Sequence, residues 1–79
     1  MLDRPAEHEL DHEVVGKTLT TRELDVFRLV LLGLANKVVA RELGLREGTV
    51  KTHLHSIYRK LRVANRAGLI LSAMADRQQ

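Results

Sequence analysis

Seventy-nine residues, 44% apolar and 29% charged, make at most one small domain near the lower end of what folds unaided, and the apolar share excludes disorder throughout. The absence of cysteine excludes a disulfide framework and a cysteine-based zinc site, no apolar run approaches the roughly 18 residues of a membrane span, and the start lacks the plan of a signal peptide, so a cytoplasmic protein is expected. The formal net charge of +3 is unevenly divided: residues 1–16 hold five acidic residues against Arg4 alone, a balance of −4, whereas residues 17–79 hold twelve basic and five acidic ones, a balance of +7, which makes a polyanion the natural partner.

Residues 1–16 read as an acidic linker or flexible arm. Leu10 and Val14 have helical spacing, which allows a short helix, yet the apolar surface they offer is too small to hold it firmly. His8 and His12 are four apart, a chelating spacing on a helix. No third ligand is marked, so the pair reads as two solvated histidines, and no metal or other cofactor is expected.

In LTTRELDVFRLVLLG, Thr20 followed three residues later by Glu23 forms a capping box ahead of an apolar-periodic run. Leu24, Phe27 and Leu31 recur at helical spacing, Val26 and Val30 widen the stripe, and Gly33 supplies the stop. The first predicted helix is Thr21 to Leu32, with Phe27 in the core. The second is Asn36 to Leu43, with Val39, Ala40 and Leu43 facing inward. Gly44 then takes a left-handed turn and Leu45 plugs the core.

The third predicted helix, Glu47 to Arg62, carries the main signal. At 100° per residue Val50, Leu54, Ile57 and Leu61 fall within about 60° of one another. The opposite side presents Gly48, Lys51, Thr52, His55, Arg59 and Arg62, with no acidic and no large apolar group. A short helix, a glycine turn and a longer helix with a basic outer face form a helix-turn-helix pattern. One face built for a core and the other basic and hydrogen-bonding suits a helix that lies in a DNA groove. His53 lies about 200° from His55, so the two do not chelate one metal, and it sits with Tyr58 at the margin of the buried stripe.

The last predicted helix covers about Asn65 to Ala75. Ala67, Ile70, Leu71 and Met74 make one stripe, which Leu69 and Ala73 broaden. So much apolar surface exceeds what one small core needs and points to a second copy of the chain. The reading is all-α: a compact four-helix domain over residues 17–79 that contains a helix-turn-helix.

The pieces LTTREL, GLANKVVARELGL and TVKTHLHSIYRKLRVANR, in order over some 55 of the 79 residues, resemble the LuxR-type (GerE-like) helix-turn-helix domain, the output module of NarL/FixJ response regulators and of quorum-sensing activators. That resemblance implies transcriptional regulation of the bacterial type, a third helix in the major groove and a homodimer through the fourth helix, with residues such as Ala67 and Leu71 at the interface. RNA polymerase is a further partner it implies, and the chain reads either as a fragment of a response regulator, with a receiver domain outside it, or as a complete small regulator. Carried over by position, Lys51, Thr52 and His55 fall where family members touch base edges, the same three that the angular reading places outward. Lys51 has donors for guanine O6 and N7, the Thr52 methyl suits a thymine methyl, and His55 has a donor for a base or phosphate acceptor. Lys37 and Thr49, at helix starts, resemble phosphate contacts, and Arg59 and Arg66 join that set. Lys60 points sideways, toward a pairing with Glu23.

The chain departs from the family pattern at Ala35 and Arg46, where a Ser or Thr usually caps a helix, each at a cost of about 1 kcal/mol. Val38 replaces a usual Glu, and Gly68 sits inside the last helix at roughly 1 kcal/mol against Ala. The promoter-binding end of a sigma factor is a related alternative, although that version tends to carry Arg where His53 stands. A helical module whose basic face meets an acidic protein is an alternative of another class. No enzyme is expected, since paired carboxylates, a serine near a histidine base and a glycine-rich phosphate loop are all missing.

Overall fold

The computed structural model describes residues 12–77 and places them in five helices: α1 (His12–Thr18), α2 (Thr21–Leu31), α3 (Asn36–Leu43), α4 (Glu47–Leu61) and α5 (Arg66–Arg77). No strand occurs among the described residues. Helices α2 to α5 are the four that periodicity predicts. The shift is at the start: α1 crosses the expected border at residue 16, and Val15 and Leu19, four apart, are buried in the core as α1 packs on α4. His8 lies outside the described residues.

Each helix end follows from local chemistry. The capping box is formed: Thr20 Oγ1 accepts from the Glu23 backbone N–H at 3.1 Å, and Glu23 Oε1 accepts from the Thr20 N–H at 2.9 Å. Helices α2, α3 and α4 all stop the same way. A residue with positive φ (Gly33 at 88°, Gly44 at 67°, Arg62 at 59°) turns the chain. The next N–H then reaches back five residues, Leu34 to Leu29, Leu45 to Ala40 and Val63 to Tyr58. Leu34, Leu45 and Val63 pack against the core as the hydrophobic partner of that turn. Arg62 is the non-glycine member, and its Cβ costs about 1–2 kcal/mol in that conformation.

The core lies between α4 and the other four helices. Val50, Leu54, Ile57 and Leu61 are buried along α4, as their common angular sector requires. Helices α2 and α3 both pack on α4 and on each other, while α5 rests on α2 and α4. Val26 and Val30, rather than Leu24 and Leu31, form the fully buried centre of the α2 stripe, with Phe27 7% exposed beside them. Leu24 and Leu31 are half-buried at its edges. On α5, Leu69, Ser72 and Ala73 turn inward, leaving Ala67, Leu71 and Met74 exposed.

One polar strut crosses this apolar packing. Glu23 is 5% exposed, and its carboxylate accepts from Lys60 Nζ at 2.8 Å and from the Ser56 hydroxyl at 2.8 Å, in addition to Thr20. The sideways course predicted for Lys60 thus ends in the expected ion pair. Burial alone would raise the carboxyl pKa. The Lys60 ammonium, the Thr20 N–H and the Ser56 hydroxyl together outweigh it and hold Glu23 at about 2. The strut fixes the rotation of α4 against α2, and therefore which face of α4 meets solvent.

Candidate nucleic-acid interface

Because the apolar stripe and the strut commit one side of α4 to the interior, the other side is presented without choice. Lys51, Thr52, His55 and Arg59 are all exposed on it, in successive turns. At this spacing Lys51, Thr52 and His55 share a surface patch about one turn long. The Thr52 hydroxyl donates to the Gly48 carbonyl at 3.1 Å. That bond turns a polar group back onto the helix and leaves the methyl as its outward feature. Glu47, the one acidic residue of α4, sits in the first turn, where the helix dipole favours it.

The first turns of α3 and α4 border this surface. Lys37 is exposed in the first turn of α3, and Thr49 is half-buried in that of α4. Neither helix start has a side-chain cap, as Ala35 and Arg46 imply; the Val38 and Thr49 N–H groups turn back to the Ala35 and Arg46 carbonyls, and the two N–H groups ahead of each are left to solvent or a ligand. Asn36, at the start of α3, comes beside Lys51, Leu54, His55 and Tyr58 to line a shallow groove of about 320 Å³. Its polar members, Asn36, Lys51, His55 and Tyr58, all carry donors beside the apolar Leu54, which suits an acceptor-rich ligand. Tyr58 is half-buried; burial pushes its hydroxyl pKa up, and the Arg66 charge partly offsets that.

Arg66 stands apart from the other predicted phosphate residues. Its guanidinium is turned inward, Nη1 donating to Asn36 Oδ1 at 2.7 Å and Nη2 to the Leu34 carbonyl. It thereby ties the start of α5 to the α2–α3 loop and to the groove wall. Sequence reasoning assigned Arg66 a direct contact and passed over Asn36. The pairing joins residues 30 apart in the chain, beyond the reach of local periodicity. The expected dimer residues Ala67 and Leu71 are both exposed on α5, Leu71 at 65%. Among the described residues no cluster of three potential metal ligands occurs, and no helix is long and apolar enough to cross a membrane.

Residues 17–73 match the sequence profile described as bacterial regulatory proteins, luxR family. The HTH-type transcriptional regulator MalT of Vibrio campbellii is 42% identical over 55 residues, which cover 70% of this chain and 6% of MalT. The nitrate/nitrite response regulator protein NarL of Escherichia coli is 42% identical over 48 residues, covering 61% of this chain and 22% of NarL. Among solved structures, the response regulator StyR superposes with a TM-score of 0.69 at 45% identity, covering 76% of this chain and 30% of StyR. The chain thus spans less than a third of each of these relatives. It belongs to the luxR family of bacterial regulatory proteins and carries that family's helix-turn-helix DNA-binding domain.

Proposed function

We propose that the chain binds DNA sequence-specifically with α4 in the major groove, Lys51, Thr52 and His55 meeting base edges. Lys37, Thr49 and Arg59 meet phosphates on either side. The observation that carries this reading is the face of α4 itself: exposed, basic, free of acidic groups past its first turn, and held outward by the Glu23 strut. A groove helix needs such a face, since base edges require donors and the phosphates require positive charge.

The exposed Ala67, Leu71 and Met74 of α5 support a homodimer on DNA, with paired half-sites about one helical turn apart. Similarity to the response regulators NarL and StyR supports an origin as the output domain of a two-component response regulator; a cytoplasmic location and RNA polymerase as a further partner belong to the same reading. No catalytic role is assigned. The test is the salt dependence of binding to a mixed-sequence DNA duplex. Wild-type affinity should fall steeply with salt, and Lys37→Ala should weaken all sequences alike and reduce the logarithmic slope by about 1. A slope unaltered in K37A removes Lys37 from the phosphate set, and absence of salt-dependent binding by the wild type favours a protein-interaction module.

A further inference from the structure

We infer that Arg66 is a positioning residue, which aims the Asn36 carboxamide at a DNA phosphate and does not itself hold one. The inference rests on the reading of α4 as the groove helix and adds to it a contact from α3.

The geometry leaves little freedom. An arginine side chain has only donors, so the group it meets at 2.7 Å must be the carboxamide oxygen. The orientation of Asn36 is therefore fixed by chemistry, with its NH₂ group turned away from the guanidinium. That NH₂ forms no hydrogen bond among the described residues. Asn36 also lines the groove that Lys51, His55 and Tyr58 share, so its two N–H donors join those of these three side chains. What such a rim recognises is an acceptor with several oxygens and negative charge, which on duplex DNA is a phosphodiester at the edge of the groove.

The second arm of Arg66 makes the arrangement stiff. By donating to the Leu34 carbonyl as well, the guanidinium spans the α2–α3 loop and the first residue of α3 with one planar fork. A lysine at this position has the charge but lacks the fork. Arg66 also braces the start of α3 from α5, though as a donor it leaves the uncapped N–H groups there free.

Direct and indirect roles give different results when the 79-residue chain binds a mixed-sequence duplex across a range of salt. If Arg66 works through Asn36, R66A loses about tenfold in affinity with the salt slope unchanged. R66K, which keeps the charge, is then weakened to a similar extent. Asn36→Ala shows the same loss, and R66A adds little in the N36A background. Wild-type affinity in R66K, a slope lowered by about 1 in R66A, or additive losses in the double variant each overturn the proposal. Circular dichroism of every variant separates these results from unfolding, and R66K with N36A decides the matter if R66A does not fold. Failure of the wild type to bind any duplex counts against the DNA reading as a whole. Binding with additive losses counts against the Arg66 role alone.

Discussion

Replacing Glu23 by Gln keeps the shape of the side chain and removes its charge at the centre of the strut between α2 and α4. The carboxyl is depressed from its ordinary 4.5 to about 2, a difference of about 3 kcal/mol between its two protonation states in the folded and unfolded chain. Two effects soften the loss in the variant. A Gln oxygen still accepts from Thr20 or Ser56, and the Lys60 side chain, 31% exposed, can turn back to water, so it is not left as a buried unpaired charge. Glu23→Gln should therefore cost about 1–3 kcal/mol at neutral pH, about 4–8 °C in Tm for each kcal/mol in a domain of this size. The dependence on pH is the sharper signature. A carboxyl whose folded pKa lies below its unfolded one stabilises fully above the unfolded value and loses that contribution as pH falls through the folded one. The gap between wild type and E23Q should be constant from pH 7 down to about 5, narrow from there, and close near pH 2. Urea unfolding followed by circular dichroism at a series of pH values measures it. Parallel stability curves for the two proteins, or a gap below about 0.5 kcal/mol at pH 7, would refute the role given to the strut.

Three other outcomes are accessible with single substitutions. Gly68→Ala should stabilise the chain by up to about 1 kcal/mol; a Cβ there meets only Asn65 Oδ1 at 3.5 Å and Val63 Cβ at 3.7 Å, both ordinary contacts, and a lower Tm would show that the helix start cannot take a methyl group. Arg62→Gly should add about 1 kcal/mol by removing the Cβ from a left-handed residue, with unchanged or lower thermal stability as the contrary result. Leu71→Asp should leave the fold within about 0.5 kcal/mol of wild type, since the side chain is 65% exposed, while abolishing cooperative binding to paired half-sites. Sedimentation of the wild type on such a site as single-copy complexes only would remove the α5 dimer.

The parts of the fold legible in the sequence are those that local chemistry decides. The limits of α3, the start of α4, the capping box and the glycine stops after α2 and α3 are matched by the structure, because each depends on residues within one or two turns. The outward set on α4 was legible for the same reason: once four apolar residues share a sector, the rest of the helix has no other place to face. The Glu23–Lys60 pair, 37 residues apart, could be anticipated from the angle of Lys60 together with a carboxylate at a known helix start. Of helix α1 only the helical spacing of Leu10 and Val14 was legible, since what holds it to the domain is its packing on α4, far away in sequence. Arg62 was missed as a turn residue because glycine is the usual signal for positive φ. Asn36 was missed for a related reason. Its side chain is engaged by Arg66 from across the domain, and nothing in the composition of either segment marks that pairing.

The central claim, that the exposed face of α4 reads base sequence, is tested most directly by selecting sites from a randomised duplex library with wild type and with Lys51→Ala and sequencing both pools. The wild type should enrich a motif, and K51A should keep that motif apart from one base pair, where its preference relaxes and specific affinity drops by about 1–3 kcal/mol. The same preference at every position in both pools, or no enriched motif with the wild type, contradicts the assignment of Lys51 and with it the reading of this face.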